Sequence, residues 1–450
     1  MGRLFGTDGA RGVAITELTC ETAMNIGRAA ATVLTRHTSH KPKILVGKDT
    51  RISSDVLENA LAAGICSVGA DVEILGVVPT PAVAYLVTKY NADAGVMISA
   101  SHNTVEYNGI KLFSKDGFKL PDDIEEEIEA LILDNPEAIA LKSGIEIGRI
   151  KKSETSVRDY IDHIKSTING DLSGVRFAID CANGSSSETA KELFGELGAK
   201  CEFINNVYDG TNINDKAGST HIDILAKYVK DNGLDGGVAF DGDADRCLAV
   251  DENGEIIDGD KMIAILSKSL KEQNKLKSDT AVMTVMTNMG FFDFAEENGI
   301  DVKITTVGDR YVLEEMLKSN YNIGGEQSGH IIFLDYATTG DGQLSAVQLM
   351  EYYKNSGKKM SELGALMSQY PQVLVNVKVT DDGKREWKEN KEIKTAIKTA
   401  EDLLGKHGRV LIRESGTEPL VRVMLEGKDN ELITEQANKI ADELRTRYGR

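Results

Sequence analysis

Residues 236–251 read GGVAFDGDADRCLAVD: two apolar runs, each about the length of a strand, with an acidic loop between them. The small and β-branched residues of GGVAF and CLAVD suit buried strands. The loop places Asp241, Asp243 and Asp245 at alternate positions. Carboxylates this close repel strongly unless a cation sits among them. An all-oxygen donor set suits Mg²⁺, Mn²⁺ or Ca²⁺ and not zinc. An EF-hand is the nearest alternative, since the three aspartates and Glu252 fall at suitable loop positions. However, Arg246 stands where that loop needs glycine, and strands flank the segment where helices are required. A solvated acidic turn is the plainer alternative, and the apolar flanks on both sides weigh against it.

Outward from this stretch, strand and helix alternate. Strands are expected at 43–49, 71–75, 95–99 and 109–113, with helices at 55–68, 82–90 and 122–133, and Ser53 and Ser54 as caps of the first helix. A mixed stretch, 138–153, reads as a linker. A second module carries strands at 174–180, 201–205 and 236–240. A third carries strands at 281–285, 302–307, 323–326 and 330–334. The tail from Pro371 differs: strands at 372–379, 409–415 and 420–427 are joined by a helix at 393–404 and followed by one at 431–447. The pattern predicts an α/β protein of three similar modules with mixed, largely parallel sheets, plus a C-terminal α+β module. The expected domains are 1–153, 154–254, 255–370 and 371–450.

With 450 residues, 41% hydrophobic and 27% charged, the chain has the composition of a multidomain globular protein. Its net charge of −19 argues against nucleic acid or an anionic membrane as a partner. No run approaches a membrane span, and the N-terminus lacks the apolar core of a secretory signal. The five cysteines are widely spaced, without a C-x-x-C pair, and read as reduced, buried thiols of a cytoplasmic protein.

Four further segments stand at expected strand ends or turns, where open α/β sheets bind ligands. Ser99–Asn103, SASHN, offers Ser101 as a nucleophile beside His102, although no G-x-S-x-G elbow is present. Residues 324–330, GGEQSGH, bring Glu326, Ser328 and His330 into a loop able to hydrogen-bond sugar hydroxyls. Residues 413–419, RESGTEP, followed by Arg422, supply Arg413, Ser415, Gly416 and Thr417 for a phosphate cradle. Residues 6–12, GTDGARG, carry Arg11, another candidate for phosphate. Taken singly, a capping Ser-His turn or a glycine-rich hairpin would account for such segments. Neither a Walker A loop nor a dinucleotide fingerprint is present.

In their order and spacing, GTDGARG, SASHN with NGIK (108–111), DGDADR, GEQSGH and RESGTEP resemble the α-D-phosphohexomutase family over nearly the whole chain. GTDGARG, DGDADR and GEQSGH are most similar to the bacterial branch acting on glucosamine phosphates. GEQSGH contrasts with the GEMSGH form of phosphomannomutase/phosphoglucomutase, the alternative reading. A metal-dependent phosphatase and a non-catalytic sugar-phosphate binder are the alternatives of another class.

The resemblance implies modules arranged around a central active-site cleft. It implies interconversion of glucosamine 6-phosphate and glucosamine 1-phosphate, feeding UDP-N-acetylglucosamine synthesis, through a phosphorylated Ser101 and a glucosamine 1,6-bisphosphate intermediate. One Mg²⁺ per chain would be held by Asp241, Asp243, Asp245 and the phosphate on Ser101. Arg11 and Arg246 would offset phosphoryl charge, and Lys111 and His102 would serve proton transfer. Glu326, Ser328 and His330 would read the sugar. Arg413, Ser415, Gly416, Thr417 and Arg422 would hold the non-reacting phosphate. A priming kinase or autophosphorylation is implied, with a homodimer allowed. The chain departs from the family pattern at Thr104, Glu414, Ile222 and Asp223. The first would loosen the serine loop, and Glu414 would lower substrate affinity if it pointed into the cradle.

Overall fold

The computed structural model describes residues 3–6, 8–415 and 419–450. The chain forms two compact units, Met1–Met286 with Gly299–Leu366, and Thr287–Asn298 with Met367–Arg450.

Three sheets build the larger unit. In the first, Lys43–Lys48 lies parallel to both Asp71–Val77 and Ala94–Ile98. Tyr107–Ser114 then runs antiparallel to Ala94–Ile98 and to Ala10–Val13. Every residue of Ala94–Ile98 is buried, as expected of an apolar strand covered on both faces. In the second sheet, Gly236–Phe240 pairs in parallel with Arg176–Asp180 and antiparallel with Cys247–Asp251. The third holds Asp301–Thr305, Thr280–Thr284, Ile323–Gly325 and Ile331–Phe333 in spatial order. The sheets are therefore mixed, as the alternation implied. Three loops of interest leave the ends of inner strands: Ser99–Asn103 after Ile98, Asp241–Arg246 after Phe240, and Glu326–His330 after Gly325.

The smaller unit has an antiparallel three-stranded sheet with Leu420–Gly427 between Gln372–Lys378 and Gly408–Glu414. Helices Lys391–Leu404 and Asn430–Tyr448 contribute Ile393, Ala400, Ile433, Ala437, Ile440 and Leu444 to its core. This is the α+β arrangement the tail predicted.

Four local expectations differ from the structure. The helix Cys20–Thr35 is absent from the sequence-based expectation. Its buried face, Ala23, Ile26, Gly27, Ala29, Ala30, Ala31 and Val33, recurs at helical spacing but is mostly alanine and glycine, with few large apolar residues to mark it. The helix expected at 55–68 begins earlier, at Ile52, so Ser53 and Ser54 lie inside it and cap nothing. The Ser54 hydroxyl donates instead to Asp49 Oδ1 at 3.0 Å, and Ser53 Oγ accepts from Asn108 at 2.9 Å. The linker at 138–153 ends in a real strand, Ile150–Lys152, added parallel to the edge of the first sheet. Of the cysteines, only Cys181 and Cys247 are buried; Cys20, Cys66 and Cys201 are half-buried, and all are free thiols.

The helices Cys20–Thr35 and Ile52–Ser67 cross at glycine contacts. A Cβ placed on Gly64 would lie 2.1 Å from the Met24 carbonyl oxygen, and one on Gly27 would lie 2.5 Å from that of Leu61. Both obstacles are backbone, so the helices themselves would have to separate. Gly64→Ala is therefore expected to destabilise the larger unit by about 1–3 kcal/mol despite alanine's better helix propensity. Thermal and denaturant unfolding of the variant check this; an unchanged midpoint would contradict the close packing.

Candidate active site

The loop after Ala94–Ile98 turns at Ser101, whose φ is +52°. A side chain in the left-handed region costs roughly 1–2 kcal/mol, so surrounding contacts must hold it there. The turn aims Ser101 Oγ at Asp241, donating to Oδ2 at 2.5 Å. Ser101 is 1% exposed. Beside it, His102 Nδ1 lies 3.4 Å from Ser101 Oγ and accepts from Arg246 Nη1 at 3.2 Å. Burial, then the Arg246 and Arg11 guanidinium groups, lower the His102 pKa, consistent with this accepting role.

The carboxylates of Asp241, Asp243 and Asp245 are buried, with one oxygen from each lying within 4.8 Å of the others. Gly242 allows this loop to approach the serine loop: a Cβ there would stand 2.6 Å from the Ser101 carbonyl oxygen. Asp243 Oδ2 accepts the Thr80 hydroxyl at 2.6 Å and Lys111 Nζ at 2.8 Å. Asp243 Oδ1 and Asp245 Oδ1 are buried without a hydrogen-bond partner. A buried carboxylate oxygen left unbonded is costly. Burial, reinforced by Asp245 and Asp243, raises the Asp241 pKa well above the usual carboxylate range. Crowding, orphaned oxygens and hard donors together fit a divalent cation.

Behind the aspartates lies a network of charges that joins Lys111, Arg11 and His330 to residues the motifs did not single out. Lys111, on the strand Tyr107–Ser114, is 2% exposed. Its Nζ stands 2.8 Å from Asp243, 3.1 Å from Asp8 and 3.5 Å from Asp245. Burial opposes its charge, but Asp243, Asp8 and Asp245 outweigh that and raise its pKa well above the usual value. Asp8 also pairs with Arg11 and, at 2.6 Å, with Lys119, which meets Asp309 at 2.6 Å. His330 completes a ring: Nδ1 is 3.7 Å from Asp245 and Nε2 is 3.6 Å from Asp309, while the Gly340 N–H donates to Nε2 at 3.0 Å. His330, 3% exposed, thus ends the loop Glu326–His330 in a buried position. Thr80, Lys119 and Asp309 were missed because each pairs across long sequence separations, and Asp8, although inside GTDGARG and beside Arg11, was passed over because its partners Lys111 and Lys119 are distant in sequence. Asp309, following Gly308 at a helix start, was the one with a local signal.

Glu326 Oε1 accepts the Gly308 N–H at 3.0 Å, and Ser328 Oγ has no hydrogen-bond partner. In the smaller unit, Arg413 and Arg422 are direct cross-strand partners. Like charges so placed repel and favour an anion between them. Ser415 is buried and donates its N–H to the Leu420 carbonyl at 2.9 Å; Gly416 and Thr417 lie outside the described residues. Glu414 is tied down: its Oε1 accepts from Trp387 Nε1 at 3.0 Å and pairs with Lys388 at 2.9 Å. Successive strand residues face opposite ways, so Glu414 turns from the face that carries Arg413.

Removing Lys111 would leave Asp8, Asp243 and Asp245 without their shared cation. Lys111→Met is expected to destabilise the larger unit by about 3–5 kcal/mol. Calorimetry and denaturant titration check this, and unchanged stability would contradict the network.

Comparison with known proteins agrees along the whole chain. Models of the phosphoglucomutase/phosphomannomutase α/β/α domains I, II and III match residues 2–138, 158–254 and 258–370, and the C-terminal domain model matches 374–443. A protein of Acetivibrio thermocellus named phosphoglucosamine mutase is 56% identical over 449 residues, covering 100% of both chains. Among solved structures, a phosphoglucomutase/phosphomannomutase family protein of Burkholderia thailandensis has a TM-score of 0.83 at 22% identity, covering 98% of this chain and 97% of its own. An Aspergillus fumigatus N-acetylphosphoglucosamine mutase, solved with GlcNAc-6P and magnesium, has a TM-score of 0.69 at 18% identity, covering 98% of this chain and 95% of its own. The chain belongs to the phosphoglucomutase/phosphomannomutase family of phosphohexomutases.

Proposed function

We propose that the chain is an isomerase interconverting glucosamine 6-phosphate and glucosamine 1-phosphate through a phosphorylated Ser101 and glucosamine 1,6-bisphosphate. One observation carries the reading: Ser101 Oγ lies 2.5 Å from Asp241 Oδ2, in a pocket where Asp243 and Asp245 each present a buried oxygen without a partner. Relatives more than half identical over the full chain and named phosphoglucosamine mutase support glucosamine as the sugar.

In the first step the Ser101 Oγ–phosphorus bond breaks as a sugar hydroxyl oxygen bonds to phosphorus. The hydroxyl proton must leave and the serine oxygen must gain one. Lys111 and His102 are the groups we assign to this transfer: the Lys111 ammonium, held protonated by Asp243, Asp8 and Asp245, is the donor, and His102, whose pKa is lowered, is the acceptor. Arg246 and Arg11 offset charge on the equatorial oxygens. The sugar then reorients, and its other phosphate returns to Ser101. Asp241, Asp243 and Asp245 would hold one Mg²⁺ with the Ser101 phosphate, supplying charge neutralisation and alignment. Glu326 and Ser328 read sugar hydroxyls, with His330 supporting that loop. Arg413, Ser415, Gly416, Thr417 and Arg422 hold the non-reacting phosphate.

In domain terms, 1–153 carries the serine loop, 154–254 the metal loop, 255–370 the sugar loop and 371–450 the phosphate cradle. Among the described residues no helix is long and apolar enough to cross a membrane. We assign the protein to the cytoplasm and its product to UDP-N-acetylglucosamine synthesis. Ser101 is primed by a kinase or by autophosphorylation.

Mass spectrometry is expected to find one phosphate, on Ser101. Ser101→Ala should lower turnover at least about 10⁴-fold with the fold intact. Retained mutase activity would refute the mechanism. Inorganic phosphate release without isomerisation in the parent protein would instead indicate a phosphatase. Faster turnover of mannose or glucose phosphates than of glucosamine phosphates would reassign the sugar.

A further inference from the structure

Arg51 immediately precedes the helix Ile52–Ser67, and its side chain is 0% exposed. Its Nε pairs with Asp49 Oδ2 at 2.8 Å. The rest of its guanidinium binds backbone carbonyls of the serine loop: Nη2 donates to Ser101 at 2.9 Å and Asn103 at 2.8 Å, and Nη1 donates to Tyr107 at 3.1 Å and to Thr104. From the second sheet's side, Asn214 Nδ2 donates to the carbonyls of Ser101 and Asn103, each at 2.9 Å. Two carbonyls thus receive two donors each, from different modules. A third tie acts on the N–H side. Ser101 N–H donates to Ser99 Oγ at 2.9 Å, and the Ser99 hydroxyl donates to Asp49 Oδ2 at 2.6 Å, which closes the circuit to Arg51.

All these donors and acceptors are protein groups. The loop's shape is therefore set by the chain itself, whether or not Ser101 carries a phosphoryl group. The clamp also accounts for the departure at Thr104. Its carbonyl is one of the four that Arg51 holds, so the turn is fixed there by the chain's own donors.

We propose that Arg51 and Asn214 are positioning residues that keep Ser101 Oγ on the carboxylate pocket during the half of the cycle when the phosphoryl group resides on the sugar. This inference rests on the mutase reading above. In the return step the Oγ–phosphorus bond forms as a phosphorus–sugar oxygen bond breaks, and the serine hydroxyl proton ends on the sugar oxygen. A loop free to relax from positive φ would carry Oγ out of reach, and the bisphosphate would leave before completing the step. Loss of the clamp should then appear as loss of intermediate, not as weaker substrate binding.

The test uses full-length Arg51→Lys, which keeps a charge beside Asp49 but cannot fork to four carbonyls, and Asn214→Ala, a milder change that guards against misfolding of the first. Folding is checked by circular dichroism and thermal unfolding. For each folded variant kcat is expected to fall about tenfold, equivalent to ~1.4 kcal/mol. The KM for glucosamine 6-phosphate should stay within about twofold, the pattern of an interaction not used in ground-state binding. Saturating glucose 1,6-bisphosphate should restore turnover, and more bisphosphate should be released per turnover than by the parent. Parental kcat with an unaltered bisphosphate requirement in folded Asn214→Ala would overturn the inference, as would a loss that added bisphosphate does not repair. Either result leaves the phosphoserine mutase reading standing. Failure of the parent protein to isomerise glucosamine phosphates would remove that reading and this inference together.

Discussion

Like charges held together away from water are the constraint around which the larger unit is organised. One oxygen from each of Asp241, Asp243 and Asp245 lies within 4.8 Å of the others, and all three residues are buried. Such a cluster persists only with compensation. Lys111 supplies part of it, and through Asp8, Lys119, Asp309 and His330 the compensation extends to other parts of the unit. Asp243 and Asp245 still each keep a buried oxygen without a hydrogen-bond partner, which a divalent cation would satisfy. The same cluster fixes the serine loop's neighbour, because Gly242 lets the acidic loop come against the Ser101 carbonyl.

Much of the site was legible because its chemistry is local. DGDADR, SASHN and GEQSGH are short loops after apolar strands, and the structure brings Ser101, His102, Lys111, Arg246 and the aspartates together. What escaped depended on tertiary pairing. Lys119 meets Asp8 and Asp309, which are separated from it by 111 and 190 positions. Asn214 and Arg51 act on the same carbonyls from different modules, and nothing in either neighbourhood signals that role. The missed helix Cys20–Thr35 has a different cause: its buried face recurs at helical spacing but is mostly alanine and glycine, which suit close approach to a second helix and carry little hydrophobic weight.

The smaller unit shows how a departure from the family pattern is absorbed. Glu414 stands beside Arg413 in sequence, yet strand alternation and the indole and ammonium of Trp387 and Lys388 hold it elsewhere. Arg413 and Arg422 remain direct cross-strand partners, with Glu414 turned from the face that carries Arg413.

The central claim is that a phosphate on Ser101 and the three aspartates share one cation. Phosphorus NMR relaxation of the phosphoserine, recorded as Mn²⁺ is titrated in, tests it most directly. The account predicts severe broadening of the phosphoserine line at one Mn²⁺ per chain, abolished in Asp243→Asn. A line that stays sharp while Mn²⁺ binds would place the cation elsewhere and contradict the account.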